Sequence, residues 1–394
     1  MVLIDQGIDK KKFIIQQLVL EYGYDQIDID TDFALDDDKV AVALFFHKMP
    51  HLISNCWLVV ISDQMTKAKA SDKLTSILKK YPNIEFGIWL TQIDVLYIKK
   101  ENEGFIEVFN VPYNGANLDL PKRSELKELH ELTKIFERIH NHIYANDGLS
   151  SMECFNEILK LLFLKIMDEK LPIGEVVRFG ISEEEYTQVQ NGKKNKFTRR
   201  IEDLFENAKN EYPDLFNASD SIQLKESTLG FAVGQLQNYD LIHSNRDVKG
   251  TAFQKFIYAS QRSDRGQFFT PDPLVRLMIN FVDPSETDII LDPACGTAGF
   301  LVEAMKYVWK KKAFKEIKNE EIRKKKEKEY AEAHIWGMDI SSMISRVSKM
   351  RMILEDAPDV NIICGDSLSD WKNFSSLMVK NQYITAIQES FDII

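Results

Sequence analysis

Three short segments toward the end of the sequence place carboxylates where a strand hands over to a turn or helix. The first is Asp292-Pro293-Ala294-Cys295-Gly296-Thr297-Ala298-Gly299-Phe300-Leu301. Small residues in such a turn let backbone approach a ligand closely, and the helix behind it offers N–H donors without intrahelical partners. The second is Gly337-Met338-Asp339-Ile340. An acid there can accept both hydroxyls of a ribose, or it can cap the following helix. The third is Gly365-Asp366-Ser367-Leu368, whose carboxylate can accept from an exocyclic amine or again serve as a cap. Three such ends in order on one sheet point to a nucleoside-like ligand. A dinucleotide fits less well, because the sequence has no GxGxxG.

These residues need a parallel sheet, whose ligands bind beyond the C-terminal ends of the strands. The pattern predicts one from residue 266 onward. A helix over 274–281 follows Pro273, and strands at 288–291, 335–338, 360–364 and 391–394 alternate with helices at 299–312 and up to 354. That alternation implies right-handed crossovers. Residues 125–265 read as mainly helical, over 126–144, 154–168, 197–212 and 250–260. Phe155, Ile158, Leu159, Leu162, Phe163 and Ile166 form the apolar stripe of the second helix. Residues 113–124 are rich in turn formers and read as a linker. Residues 1–112 read as a small α/β domain: a helix over 12–22, strands at 40–46, 57–61, 85–90, 95–98 and 105–109, and a helix over 71–81. The two continuous apolar runs at 40–46 and 57–61 suit strands buried on both faces. The fold class is therefore α/β, with a small N-terminal α/β domain, a central helical domain and a C-terminal, partial Rossmann-like domain.

Composition excludes several classes. The 394 residues are 44% hydrophobic and 28% charged, so a disordered or fibrous protein is ruled out. With 50 basic and 61 acidic side chains the net charge is −11, which is not that of a basic nucleic-acid coat. Cys56, Cys154, Cys295 and Cys364 are far apart and form no CxxC pair. A zinc ribbon or disulfide framework is not expected, and the reading is a reducing, cytoplasmic compartment. No apolar run approaches the ~20 residues of a membrane span, and the first residues lack the apolar stretch of a signal peptide. Locally, residues 193–200 carry five basic side chains, and 310–329 carry ten against five acidic. Arg262 and Arg265 precede the ligand segment. Each stretch suits either phosphate contact or a solvated helix face. The acidic stretch Asp25, Asp28, Asp30, Asp32, Asp36, Asp37 and Asp38 reads as a solvated loop.

The segment DPACGTAGFL, preceded by Gly266-Gln267-Phe268-Phe269-Thr270-Pro271, resembles the adenine-N6 DNA methyltransferases of restriction–modification systems, above all the modification subunit of type I systems. The resemblance implies S-adenosyl-L-methionine (SAM) as cofactor. It places Asp292, Pro293, Ala294, Cys295, Gly296 and Gly299 around the methionine moiety, with Gln267 to Pro271 closing over it. It places Asp339 and Ile340 at the ribose, and Asp366 and Ser367 near the adenine ring. Where the family has DPACGTGGFL, this sequence has Ala298 in place of a glycine, a change expected to be tolerated unless φ is positive there. The stretches CFNEILKLLFLKIMDEK and DVKGTAFQKFIYASQRSDRGQFFTP are similar to the helical N-terminal region of such subunits.

The family transfers the methyl group with an Asn/Asp-Pro-Pro-aromatic motif directly after the fourth strand, acting on a base rotated out of the duplex. No such motif occurs in these 394 residues, so no residue is assigned a catalytic role. Phe391-Asp392-Ile393-Ile394 resembles its lead-in. The expectation is that this chain holds cofactor without transferring methyl alone, and that a continuation or a second polypeptide completes a sheet whose fourth strand lies beside the first. Residues 1–112 are similar to the nuclease-fold domain of type I restriction subunits. The metal-holding Asp position reads Ala41 and the Glu-x-Lys window reads Ser62-Asp63-Gln64, which implies a degenerate domain. The implied function is SAM-dependent adenine-N6 methylation of double-stranded DNA in restriction–modification or phage defence, with a specificity subunit or domain and a restriction subunit as partners and no membrane. The alternative is a non-catalytic SAM- or DNA-binding scaffold of a defence complex.

Overall fold

The structure, a computed structural model, describes residues 15, 18–19, 24–35, 38–62, 65–90, 94–101, 104–111, 119–128, 132–213, 215–261, 270–357, 361–369 and 391–394. The chain forms two compact units, Met1–Leu204 with Ile222–Asp240, and Phe205–Ser221 with Leu241–Ile394. The strand-rich region and most of the helical region thus share one unit, where the sequence predicts separate domains.

The first unit contains β1 (Ile29–Thr31), a hairpin of β2 (Ala34–Leu35) and β3 (Asp38–Lys39), β4 (Val42–Phe45), β5 (Cys56–Ile61), α1 (Lys67–Lys80), β6 (Phe86–Leu90), β7 (Val95–Glu101) and β8 (Gly104–Val108). Six strands form a sheet in the order β1-β4-β5-β6-β7-β8. Only β5 and β6 pair in parallel, because α1 makes the crossover between them. Thr66 caps α1 by accepting from Lys69 N. Leu74 of α1 rests on Gly87 of β6, where a Cβ would come within 2.9 Å of Leu74 Cδ2. The helix predicted over 12–22 falls almost wholly outside the described residues, as do Asp63 and Gln64 of the nuclease comparison. Ala41 N donates to Val60 O at 2.8 Å. In the acidic stretch, Asp28 is buried and bonds His47 Nδ1 at 2.7 Å and Lys48 N at 2.8 Å. Asp36 and Asp37 lie outside the described residues.

The helical part of this unit adds β9 (Lys127–Glu128), α2 (Leu132–Asp147), α3 (Ser151–Asp168), α4 (Glu183–Gln190), α5 (Lys196–Glu211), which runs on into the second unit, α6 (Glu226–Leu236) and β10 (Tyr239–Asp240). The helix predicted from 126 starts instead at Leu132, because Lys127 and Glu128 pair in parallel with Tyr239 and Asp240. Residues 113–118 of the predicted linker lie outside the described residues. Its last part is anchored by Arg123, which donates to Glu169 O and to Asp240 Oδ2, both at 2.7 Å. Ser150 and Glu153 form a reciprocal capping box at the start of α3, whose apolar stripe is buried as predicted. Arg200 of the basic segment is bidentate to Glu185, at 2.8 and 2.7 Å, so this cation serves the fold.

The second unit holds α7 (Arg246–Gln261), α8 (Asp272–Val282), β11 (Ile290–Asp292), α9 (Gly299–Trp309), α10 (Lys312–Lys315), α11 (Glu320–His334), β12 (Ile335–Asp339), α12 (Ser342–Leu354) and β13 (Asn361–Cys364). The three strands are parallel in the order β11-β12-β13. Beside β11, Ile393 forms a parallel bridge with Ile290, and Leu291 N donates to Ile393 O at 2.9 Å. The strand predicted at 391–394 is therefore a single bridge, at the predicted place next to the first strand. Its bonds are confined to Ile289 through Leu291, too few to make a ladder. The helix predicted over 299–312 ends at Trp309, and a short helix follows. Ile290, Leu301, Val302, Met305, Val308, Ile335, Met352 and Ile362 form the core, with Val275 and Ile279 of α8. On α11, Lys324–Glu320, Lys328–Glu332 and Arg323–Glu327 pair at i,i+4 spacing, at 3.0, 3.4 and 3.7 Å, as a solvated helix does. No described helix is long and apolar enough to cross a membrane.

Candidate functional site

The parallel register brings the three predicted segments to one edge of the sheet. Asp292 pairs with Gly337, and Asp339 with Cys364. Backbone bonds then stitch the loops beyond the strands: Cys295 N donates to Met338 O at 2.8 Å, and Gly365 N donates to Asp339 O at 2.9 Å. Asp292, Asp339 and Asp366 thus stand at three consecutive strand ends.

The first loop is bent by two residues in the left-handed region, Gly296 at φ 52° and Ala298 at φ 61°. Ala298 is the residue before α9, so the condition under which alanine is poorly tolerated holds. A left-handed alanine costs about 1–2 kcal/mol. Its methyl group is fully buried in the core, which offsets part of that. Ala298 N donates to Cys295 O at 2.8 Å, and its carbonyl accepts from Val302 N at 3.0 Å, closing the first turn of α9. The amides at the start of the helix have no carbonyl behind them and are available to an anion.

Each carboxylate uses one oxygen to hold its own loop. Asp292 Oδ1 accepts from Ala294 N at 3.1 Å, Asp339 Oδ1 from Ser341 N at 2.8 Å, and Asp366 Oδ1 from Leu368 N at 3.0 Å. The cap of α12 is Ser341, whose hydroxyl accepts from Ile344 N, so Asp339 is not the helix cap. Partial burial pushes the Asp292 carboxyl above its ordinary value of 3.8; the Ala294 N–H opposes this and the nearby Asp339 carboxylate adds to it. The Cys295 thiol is buried and pushed up to about 12, mainly by desolvation and then by Asp292, so it is a packing residue and not a nucleophile.

Pro293, Cys295 and Gly296 lie in the first loop with exposed Ala294, and Gly299 opens α9; Ile340, 73% exposed, follows Asp339, and Ser367 follows exposed Asp366. Thr270 and Pro271 open α8, where Pro271 O accepts from Leu274 N and Val275 N at 2.8 and 3.1 Å. Helix α8 packs along α9. Gln267, Phe268 and Phe269 lie outside the described residues, as do Arg262 and Arg265.

The structure adds residues that spacing did not single out. Gly337 lies in the middle of β12, where a Cβ would come within 2.6 Å of Leu301 Cδ1, 2.9 Å of Ile362 Cδ1 and 3.1 Å of Cys295 Sγ. A glycine inside a strand is a legible sign of such close approach. Ser345, Ser348 and Arg351 reach the two loops from α12, and nothing in their spacing announces it. Chemically, the edge combines carboxylate acceptors with helix-start donors. It suits a ligand carrying hydroxyls, an amine and a positive charge at one part and a carboxylate at another.

Residues 244–393 match the family model described as N-6 DNA Methylase. The chain is 27% identical over 169 residues to the type I restriction enzyme EcoKI methylase subunit of Escherichia coli (strain K12), covering 41% of this chain and 32% of that protein. It is 28% identical over 137 residues to the type I restriction enzyme MjaVII methylase subunit of Methanocaldococcus jannaschii, covering 34% and 21%. The matched stretches thus span about a third of the length of these relatives or less. A solved type I restriction-modification system methyltransferase subunit from Streptococcus thermophilus aligns at 16% identity over 67% of this chain and 62% of that one, with a TM-score of 0.38.

Proposed function

Since residues 244–393 match the N-6 DNA methylase family model, we propose that the chain holds SAM at the three joined strand ends, in the service of adenine-N6 methylation of DNA. The observation that carries this reading is the alignment of Asp292, Asp339 and Asp366 at three consecutive strand ends, the first of them leading into α9. SAM has a sulfonium, an ammonium and a carboxylate. Asp292 suits the first two, and the helix amides suit the third. In this reading Asp292 to Gly296 and Gly299 receive the methionine end, with Gln267 to Pro271 against it. The open oxygen of Asp339 accepts the ribose hydroxyls, with the exposed Ile340 beside the ring, and Asp366 and Ser367 meet the adenine amine. Bound there, SAM supplies a methyl group activated by its sulfonium.

Double-stranded DNA is the proposed methyl acceptor, and a specificity subunit and a restriction subunit are the proposed partners. The relatives named above are methylase subunits of type I restriction enzymes, and this role is the one their names support. The test is calorimetric titration of the chain with SAM. The parent binds, and Asp339→Ala weakens binding at least about tenfold, the value of losing hydrogen bonds to a charged acceptor. Unchanged affinity in Asp339→Ala contradicts the assignment of the ribose to that strand end.

A further inference from the structure

Helix α12 meets both cofactor loops with one polar stripe. Ser345, Ser348 and Arg351 are three residues apart and share a face. The two serines are fully buried and Arg351 is 6% exposed. Ser345 Oγ donates to Asp339 O at 3.2 Å. The Ser348 hydroxyl faces the carbonyl of Gly296 and, at 2.9 Å, that of Ile344 one turn back. Arg351 Nη1 donates to Thr297 O at 3.1 Å. The Cys295 thiol lies 4.0 Å from Ser348 Oγ.

Burying polar groups on a core-facing helix surface is unfavourable unless each finds a partner. Packing alone would be served by apolar side chains here. Instead, two of the three partners are carbonyls of the Gly296–Thr297 turn, and the third is the carbonyl of Asp339. In a trans peptide the C=O and N–H point opposite ways. Fixing the Gly296 carbonyl on α12 therefore aims the Thr297 N–H away from the helix. The left-handed conformations at Gly296 and Ala298 are unfavourable on their own and need such outside support.

We infer that Ser348 and Arg351 are positioning residues that hold the Gly296–Thr297 turn in the shape that receives the methionine end of SAM, while Ser345 ties the same helix to the ribose end. The inference rests on the cofactor reading above. It makes α12 a ruler between two parts of one ligand: loosening Ser348 or Arg351 should move the turn and leave the Asp339 and Asp366 loops in place.

The test uses the full chain and two ligands, SAM and 5′-methylthioadenosine, which shares the adenine and ribose and lacks the amino-acid end. Ser348→Ala should weaken SAM about tenfold while 5′-methylthioadenosine stays within about twofold of the parent. Arg351→Lys, which keeps a charge but loses the planar fork, should show the same split and serves if Ser348→Ala does not fold. Equal weakening of both ligands would mean a general loosening of the unit and overturn the inference, as would SAM binding equal to the parent's. A parent chain that binds neither ligand overturns the cofactor reading itself, a result distinct from both.

Discussion

Asp292 is held at an energetic disadvantage when the site is free of ligand. Its folded pKa lies above the ordinary value of 3.8, because burial and the Asp339 carboxylate disfavour its charge. A group raised in this way stabilises the fold fully below its unfolded pKa and loses that contribution as pH rises through the folded one. At pH 7 the charged Asp292 therefore opposes folding of the free chain. Asp292→Asn is expected to unfold at a higher temperature than the parent at pH 7, with the difference shrinking as pH falls toward about 4. Melting curves across that range check this, and a variant less stable than the parent at pH 7 contradicts it. At this scale the sequence is most informative where a residue type is chemically conspicuous. Asp292, Asp339 and Asp366 stand out because acids after strands have few uses. Ser348 and Arg351 do not, because a serine or arginine on a helix usually faces water, and only the packing of α12 shows that these face a turn.

Among the elements, strands and helices with a clear period are legible to within a few residues, as in β5, β6, α3 and α8. Those that miss have identifiable causes. Helix α6 is buried on all sides from Thr228 to Leu236, so it has no apolar stripe to detect. Helix α4 is short, and its one sign is the Ser182–Glu185 capping box. The start of α2 is displaced by the β9–β10 ladder, a contact between residues more than a hundred positions apart. The joint between α9 and β12 is the element-scale feature on which the site depends. A side chain at Gly337 would intrude on Leu301, Ile362 and Cys295. Gly337→Val should destabilise the chain by about 1–3 kcal/mol through overpacking, measured by denaturant unfolding. A change within about 0.5 kcal/mol would show that the joint yields and that the tight fit is incidental.

At the scale of the whole molecule, the family match and the proposed cofactor edge both fall in the second unit. The six-stranded sheet of the first unit has one parallel pair in an otherwise antiparallel order, an order that the apolar runs at 40–46 and 57–61 do not specify. The strand order of the second unit was legible because alternation and right-handed crossover leave few choices. The place of Ile393 beside Ile290 is the one that the family resemblance implies for the fourth strand. The division into two units was not legible, since it depends on which helices pack together and not on local composition. The proposed function requires that three strand ends of the second unit form one SAM site. Hydrogen–deuterium exchange of the full chain with and without SAM tests it most directly. Ligand-dependent protection is expected at 292–299, 337–341 and 364–369 together. Binding that protects other segments and leaves these three unchanged would contradict it.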